Sequence, residues 1–274
     1  TRITNIKKDN PLNFRLLTLK FRPLIACAIF LVPPIIVTSQ QAVRAPLLEG
    51  IGPLQFTITT DNTRSQAYFN QAMTLSFGFN HAEAIRSFQE AARLDPSCGI
   101  CYAGIALALG PNINAPMNPE AVRPAWEAAQ TALKLSKGES GFEQDFIEAI
   151  ATRYSEGGTD RAALDAIYAG TMSGLAKKYP KNNHVITLYA ESLMDLTPWS
   201  YWNEDKSPKV HTVTIVELLE RVIEASPDQI GAMHLYIHLM ERFFPEKALA
   251  AADQLGGLVP VAGHLVHMPS HIYL

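Results

Sequence analysis

The chain has 274 residues, which is enough for one large domain or two small ones with a buried core. Its 47% hydrophobic and 18% charged residues exclude a disordered chain. Residues 1–22 hold six basic side chains against one acidic, whereas residues 46–274 hold 16 basic against 25 acidic. A body with this negative charge is repelled by phosphate backbones, so nucleic acid is excluded as a partner.

The first 45 residues have the order of parts found in an export signal. The basic stretch is followed by the uncharged residues 24–37 and then by a small-residue exit at Val43-Arg44-Ala45. Fourteen apolar residues are few for a membrane span of about 20 residues, yet an uncleaved N-terminal anchor remains the alternative. Residues 1–45 are therefore predicted to be a signal or anchor, with the body in the periplasm or outside the cell. Contact with a membrane is expected only through this segment.

After a predicted linker at 46–60, apolar residues recur at helical spacing and one pattern repeats. Three apolar residues precede a proline at a constant spacing in four places: Ala84, Phe88, Ala91 and Pro96; Tyr168, Met172, Leu175 and Pro180; Ile215, Leu219, Val222 and Pro227; Ala248, Ala252, Leu255 and Pro260. This is the spacing of a tetratricopeptide repeat, in which the proline ends the second helix of each hairpin. Residues 61–274 are predicted to form an all-α tetratricopeptide-like solenoid of helical hairpins, with inserted loops at 110–118 and 197–209.

Three stretches resemble a family of exported bacterial tetratricopeptide-repeat proteins. They are CGICYAGIALALGPNINAPM at 98–117, HLYIHLMERFFPEKALAAADQL at 234–255 and GHLVHMPSHIYL at 263–274. The resemblance covers roughly residues 60–274 and implies an all-helical solenoid, but no activity. The last stretch stops within a helical pattern, so further helices are expected to follow it.

Histidines are concentrated near the end of the sequence. Five of the eight lie between residues 234 and 271, and the differences 267−234 and 271−238 are both 33 residues. In a tetratricopeptide repeat they fall on the concave side of the first helix of each of the last two hairpins. His234 is therefore expected to lie beside His267, and His238 beside His271. The sequence thus predicts a site for a divalent transition metal (zinc, copper or iron) formed by His234, His238, His264, His267, His271 and Glu241.

Other readings of these histidines stay open. Each ring can be a hydrogen-bonded groove residue, and the groove can hold a protein or peptide without metal. A metal-dependent hydrolytic or oxidative enzyme would need an open coordination position and a base such as Glu241. His184, Glu191 and Asp195, on a neighbouring helix, are possible acceptors behind the ligands. Peptide clamps of this fold use Lys, Arg and Asn in the groove, whereas the corresponding places here include Phe69, Met73, Ala103 and Leu107.

A pair of cysteines and an aromatic cluster are further candidate features. Cys98 and Cys101 flank a predicted helix start and can form a structural disulfide, a redox dithiol or a metal site, while Tyr102 in place of histidine excludes haem attachment. The aromatic cluster Trp199, Tyr201 and Trp202 can cap a ligand groove or fill a gap in the stack. No Gly-rich phosphate loop or serine-nucleophile motif is present, which disfavours nucleotide and acyl-transfer enzymes.

Overall fold

The computed structural model describes residues 45–138, 140–157 and 160–274. Residues 1–44 of the predicted signal or anchor lie outside these ranges. Across the described part of the chain, no helix combines the length and the apolar character that crossing a membrane requires.

The described residues form helices joined by turns and loops, without any strand, which confirms the all-α class. The α-helices are α1 (Thr63–Phe77), α2 (His81–Leu94), α3 (Gly99–Leu109), α4 (Val122–Leu135), α5 (Phe142–Ala151), α6 (Arg161–Lys178), α7 (Asn183–Met194), α8 (Thr212–Ala225), α9 (Ile230–Met240), α10 (Leu249–Leu258), α11 (Gly263–His267) and α12 (Ser270–Tyr273). Short 3-10 turns at Pro119–Ala121 and Pro245–Ala248 precede α4 and α10.

Local sequence signals explain where several helices begin and end. The side chains of Asn62, Asp160 and Asn182 accept hydrogen bonds from the first backbone N–H groups of α1, α6 and α7. The four prolines of the repeated pattern all lie in the turns that follow α2, α6, α8 and α10. A proline there ends the helix because it has no N–H to donate and its ring clashes with the preceding turn.

Each helix packs on the next one along the chain, from α1 to α11. The apolar residues of the repeated pattern are buried, on α2, α6, α8 and α10 and, for Ala248, in the 3-10 turn before α10. Gly104 of α3 allows one of these contacts, because a Cβ atom there would lie 2.3 Å from the ring of Phe88. Small residues at such points let paired helices approach closely.

The helical stack also closes on itself, which the sequence did not indicate. Helix α9 contacts α1 and α7 in addition to its neighbours α8 and α10, and every residue of α9 is buried. The four places expected to line an open groove, Phe69, Met73, Ala103 and Leu107, are buried as well. These four positions therefore belong to the core of the described structure rather than to an exposed groove.

The segment predicted to be a linker, residues 46–60, is instead packed as an extended strap along α1. Phe56 and Ile58 are buried. The Phe56 N–H donates to the Asn70 side chain at 3.1 Å, and the Ile58 N–H donates to Gln66 at 2.9 Å. Apolar side chains with paired amides gain more from packing than from exposure, so the segment belongs to the domain.

Candidate metal centre

Helix α9 carries two of the predicted ligands into the interior. His234 is 0% exposed and His238 is 4% exposed, because neighbouring helices surround α9 on all sides. The spacing of four residues places both imidazoles on one helical face, with ring centroids 4.9 Å apart. Two histidines are thus held together at the centre of the fold.

His264 of α11 joins this pair. Its Nε2 lies 3.0 Å from the Nε2 of His234, and the ligand nitrogens of His234, His238 and His264 all lie within 4.8 Å of one another. Ligand nitrogens around a tetrahedral ion, with metal–nitrogen distances of about 2.0–2.1 Å, are about 3.3 Å apart. The His234–His264 pair is close to that separation, so the three-histidine cluster could hold a metal ion.

The orientation of His234 is set by the backbone of α1. Its Nδ1–H donates to the carbonyl oxygen of Phe77 at 2.6 Å. A carbonyl oxygen only accepts, so Nδ1 bears the proton and the Nε2 lone pair of the neutral ring points toward His264. A hydrogen bond from the non-ligating nitrogen to a backbone carbonyl is a common way to orient a metal-ligating histidine.

His238 is buried without satisfying its polar atoms. Among the described residues neither of its ring nitrogens has a hydrogen-bond partner, although Nδ1 lies 3.4 Å from Glu241 Oε2. Leaving a buried polar group unpaired costs about 1–3 kcal/mol, so such groups call for a structural or functional reason. Coordination of a metal ion by His238 would supply one.

The cluster favours neutral imidazoles. Burial, followed by the proximity of other imidazoles, lowers the pKa of His238 to about 3 and the pKa of His234 well below its ordinary value. Burial also lowers the pKa of His264. Because metal ions bind the deprotonated ring, the three histidines need not lose a proton near neutral pH before binding.

The remaining predicted ligands form a second group beside the three-histidine cluster. The His271 Nε2 lies 3.0 Å from the Nε2 of His267, and the His271 Nδ1 lies 2.8 Å from Glu241 Oε2. His238 and His271 are neighbours, as the 33-residue spacing predicted, with ring centroids 5.5 Å apart. His264, rather than the predicted His267, faces His234. The six predicted residues are thus brought together, but as two groups.

Two strained aromatic residues pack against the histidines. Phe79 has a φ of 52° and its ring centroid lies 4.4 Å from that of His234. Trp199 has a φ of 62° and its ring lies edge-on to His238 at 5.0 Å. A left-handed backbone costs a bulky residue about 1–3 kcal/mol, and such strain clusters at functional sites. Trp199 belongs to the aromatic cluster predicted in the loop 197–209, whereas no sequence signal identified Phe79.

Two cavities reach the cluster from outside. A cavity of about 340 Å³ is lined by Trp199, Tyr201, Trp202, His238, Leu239, Glu241, Arg242 and Phe243. A second cavity, of about 440 Å³, includes His264, Phe79 and the loop asparagines Asn80, Asn112 and Asn114 in its lining. The first gives a small molecule a route to His238 and the second a route to His264.

The residues expected to accept hydrogen bonds from the metal-binding histidines, His184, Glu191 and Asp195, have other interactions. His184 uses both nitrogens elsewhere: Nε2 lies 2.9 Å from the Gln55 carbonyl oxygen and Nδ1 lies 2.9 Å from Gln229 Nε2. Asp195 pairs with the buried guanidinium of Arg153 at 2.6 Å.

Glu191 also belongs to this interior ion group. Burial, together with the charge of Asp195, raises the pKa of Glu191 to about 8. Asp195 and Asp165 pair with the buried Arg153, and Glu191 keeps its proton beside them, so the expectation that Glu191 and Asp195 orient the metal ligands is wrong.

Cys98 and Cys101 form a disulfide, with Cα atoms 5.4 Å apart. Both residues are buried in the core at the start of α3. Paired sulfurs cannot serve as thiolate ligands, so this state does not fit a metal site at the two cysteines, whereas a structural disulfide and the oxidised form of a redox dithiol both fit it.

Comparison with known proteins adds no identification, since no family model, no curated protein and no solved structure matches the chain.

Proposed function

We propose that this protein binds one divalent transition-metal ion through His234, His238 and His264. The observation that carries the proposal is the buried convergence of three imidazoles from two helices. A carbonyl orients one of them, and another has no hydrogen-bond partner among the described residues. A structural histidine in a core normally satisfies its ring nitrogens, as His184 does here. His238 does not among the described residues, and its nitrogens lie next to those of two other neutral rings.

The donor set is compatible with several metals. Three imidazole nitrogens suit zinc, copper and ferrous iron alike, so geometry does not choose among them. Copper(II) is expected to bind most tightly, because it stands highest among these ions in the general order of affinity.

The tetratricopeptide-like fold and the export of the protein are also proposals. A tetratricopeptide-like repeat is supported by the burial of the recurring apolar positions and by the recurring prolines. Export is supported by the order of basic, apolar and small residues before residue 46. A metal-free peptide clamp has less support, since the four groove positions named above lie in the core.

Metal analysis of purified protein tests the proposal. After loading with Zn²⁺ and removal of excess ion by gel filtration, His234→Gln/His264→Gln should lose the metal ion that the wild type retains. The matched control is His184→Gln, which removes a partly buried histidine that has its own hydrogen-bond partners. If His234→Gln/His264→Gln keeps the same zinc content as the wild type, the three-histidine site is refuted.

A metal-dependent enzyme is a second candidate function, favoured by the 340 Å³ cavity beside His238 and Glu241. Three nitrogen ligands leave a fourth position for water or substrate, as in catalytic zinc sites. Glu241 is placed to act as a general base, and burial raises its pKa above the ordinary value.

The aromatic walls of this cavity favour a small substrate with an apolar or aromatic part. Hydrolysis of nitrophenyl esters, and oxidation of phenols with dioxygen as the electron acceptor, by the metal-loaded protein test the two reaction classes. Activity should disappear on chelation, return with metal, and be lost in Glu241→Gln without loss of bound metal. Equal rates for the loaded and chelated proteins would rule out this function for those substrates.

A further inference from the structure

We propose a second metal-binding position, formed by His267 and His271 and supported by Glu241. It uses none of the three ligands of the buried cluster, so either position can exist without the other. We refer to it as the outer position, because His267 is exposed and the side chain of His271 is 31% exposed.

The first argument is the facing of two ring nitrogens. The Nε2 atoms of His267 and His271 are 3.0 Å apart, the same separation as in the His234–His264 pair. Two N–H groups cannot face each other at this distance, so at least one Nε2 presents a lone pair. The distance also fits two nitrogens that bind one ion at right angles to each other, as in square-planar copper(II), for which metal–nitrogen distances of about 2.0–2.1 Å give about 2.9 Å.

The second argument is that an oxygen atom lies beside the Nδ1 atom of each ring. The Nδ1 of His271 lies 2.8 Å from Glu241 Oε2, and a carboxylate oxygen favours the tautomer with the proton on Nδ1, which leaves the lone pair on Nε2. The Nδ1 of His267 lies 3.3 Å from Ser270 Oγ. A hydroxyl both donates and accepts, so Ser270 can stabilise the His267 tautomer that turns its Nε2 lone pair to an ion.

The local fold explains how these rings come together. Pro269 has no N–H to donate to the carbonyl of Leu265, so the helix is interrupted between α11 and α12. The backbone at Met268 and Pro269 nevertheless stays right-handed helical, which keeps the residues at 267 and 271 one turn apart. Histidines four residues apart on such a turn can bind one ion together.

Glu241 connects the outer position to the buried cluster. Its Oε2 lies 2.8 Å from Nδ1 of His271 and 3.4 Å from Nδ1 of His238, so one carboxylate faces a histidine of each group. A carboxylate next to the nitrogen that does not bind the metal raises the basicity of a ligating imidazole. Its negative charge also lies between the two positions and reduces the repulsion between two cations.

The ligand atoms of the outer position indicate which metal ion it binds. Two imidazoles, with the other coordination positions open to water, favour a divalent ion that prefers nitrogen, and copper(II) is the tightest binder of this kind. With fewer protein ligands and more exposure, the outer position should bind more weakly than the buried cluster and exchange its ion more readily.

Titration of the protein with Cu²⁺ buffered by glycine tests the outer position, with bound copper counted by metal analysis after gel filtration. We expect two ions per wild-type chain, one in His267→Ala/His271→Ala, one in His234→Gln/His264→Gln and none in the fourfold variant. Circular dichroism of each variant checks that it is folded. Glu241→Gln should keep two ions but weaken the outer one about 10- to 100-fold, as expected for a carboxylate behind a ligand.

Other copper counts would overturn one or both of the proposed positions. One ion in the wild type that persists in His267→Ala/His271→Ala overturns the outer position and leaves the buried cluster intact. One ion that persists in His234→Gln/His264→Gln overturns the buried cluster instead. Two ions in the fourfold variant would place copper on other residues and overturn both.

Discussion

Gly231 connects the packing of the fold to the metal centre. It lies in α9 against α1, and a Cβ atom at this position would be 2.5 Å from Cδ1 and 2.7 Å from Cγ of Phe77. Carbon atoms in contact are about 3.5–4.0 Å apart, so Gly231→Ala must move the ring or the helix by about 1 Å. Overpacking of this kind costs about 1–3 kcal/mol, and the better helix propensity of alanine returns at most about 1 kcal/mol. With the full gain in helix propensity, we expect the free energy of unfolding to fall by up to about 2 kcal/mol.

The same substitution should weaken metal binding. The carbonyl oxygen of Phe77 accepts the Nδ1–H of His234 at 2.6 Å, and a shift between the helices lengthens this hydrogen bond. Loss of the group that orients a ligating histidine typically lowers metal affinity about 10- to 100-fold. Gly231→Ala is therefore expected to reduce both stability and affinity, although residue 231 contacts no metal.

Urea unfolding of the metal-free protein measures the first effect, and titration with a competing zinc chelator measures the second. The matched control is Gly170→Ala in α6, where no atom of the described chain, apart from the adjacent residues and the backbone of α6 itself, lies within 4 Å of the added Cβ. This control should gain about 0.5–1 kcal/mol from helix propensity, with unchanged affinity. If Gly231→Ala is as stable as Gly170→Ala and binds zinc like the wild type, the close approach of α9 and α1 is refuted.

Three further predictions concern the interior of the fold. Because burial lowers the pKa of His238 to about 3 from 6.5, the unfolded chain binds a proton that the folded chain does not, and metal-free stability should decrease as the pH falls below 6.5. Urea unfolding at pH 7.5 and pH 5 checks this, and His238→Gln should show a shallower decrease. Because burial raises the pKa of Glu191 to about 8 from 4.5, the folded chain retains a proton that the unfolded chain loses, and stability should decrease as the pH rises through this interval. Glu191→Gln should be more stable than the wild type at pH 8, and equal thermal midpoints there would contradict the argument. Because the Trp199 ring lies 5.0 Å from that of His238, Cu²⁺ bound there should quench tryptophan fluorescence more strongly in the wild type than in Trp199→Phe, and an equal fractional loss would place the ion elsewhere.

The helical architecture was readable from the sequence because it follows from local patterning. Apolar residues at fixed intervals, with a proline after each set, predicted where α2, α6, α8 and α10 bury a face and where they end. The adjacency of His238 and His271 also followed from spacing, because one repeat length brings equivalent positions of successive hairpins together.

Long-range contacts were not readable in the same way. The contact of α9 with α1 joins residues that are far apart in the sequence, and nothing in the repeat pattern indicated that the stack would close there. The strap over residues 46–60 is extended and paired with side chains of α1, so it lacked the periodicity that identifies a helix or a strand.

By itself, the sequence determined that the protein is helical and that five histidines and a glutamate would lie near one another. Only the tertiary structure divided them into a buried cluster and an outer pair, placed the Phe77 carbonyl behind His234, and set Phe79 and Trp199 against the rings. The physical reason is that spacing fixes which face of a helix a side chain occupies, whereas its partners depend on which other helix reaches that face. That second choice depends on packing across the whole chain, including single positions such as Gly231 where a missing Cβ allows two helices to meet.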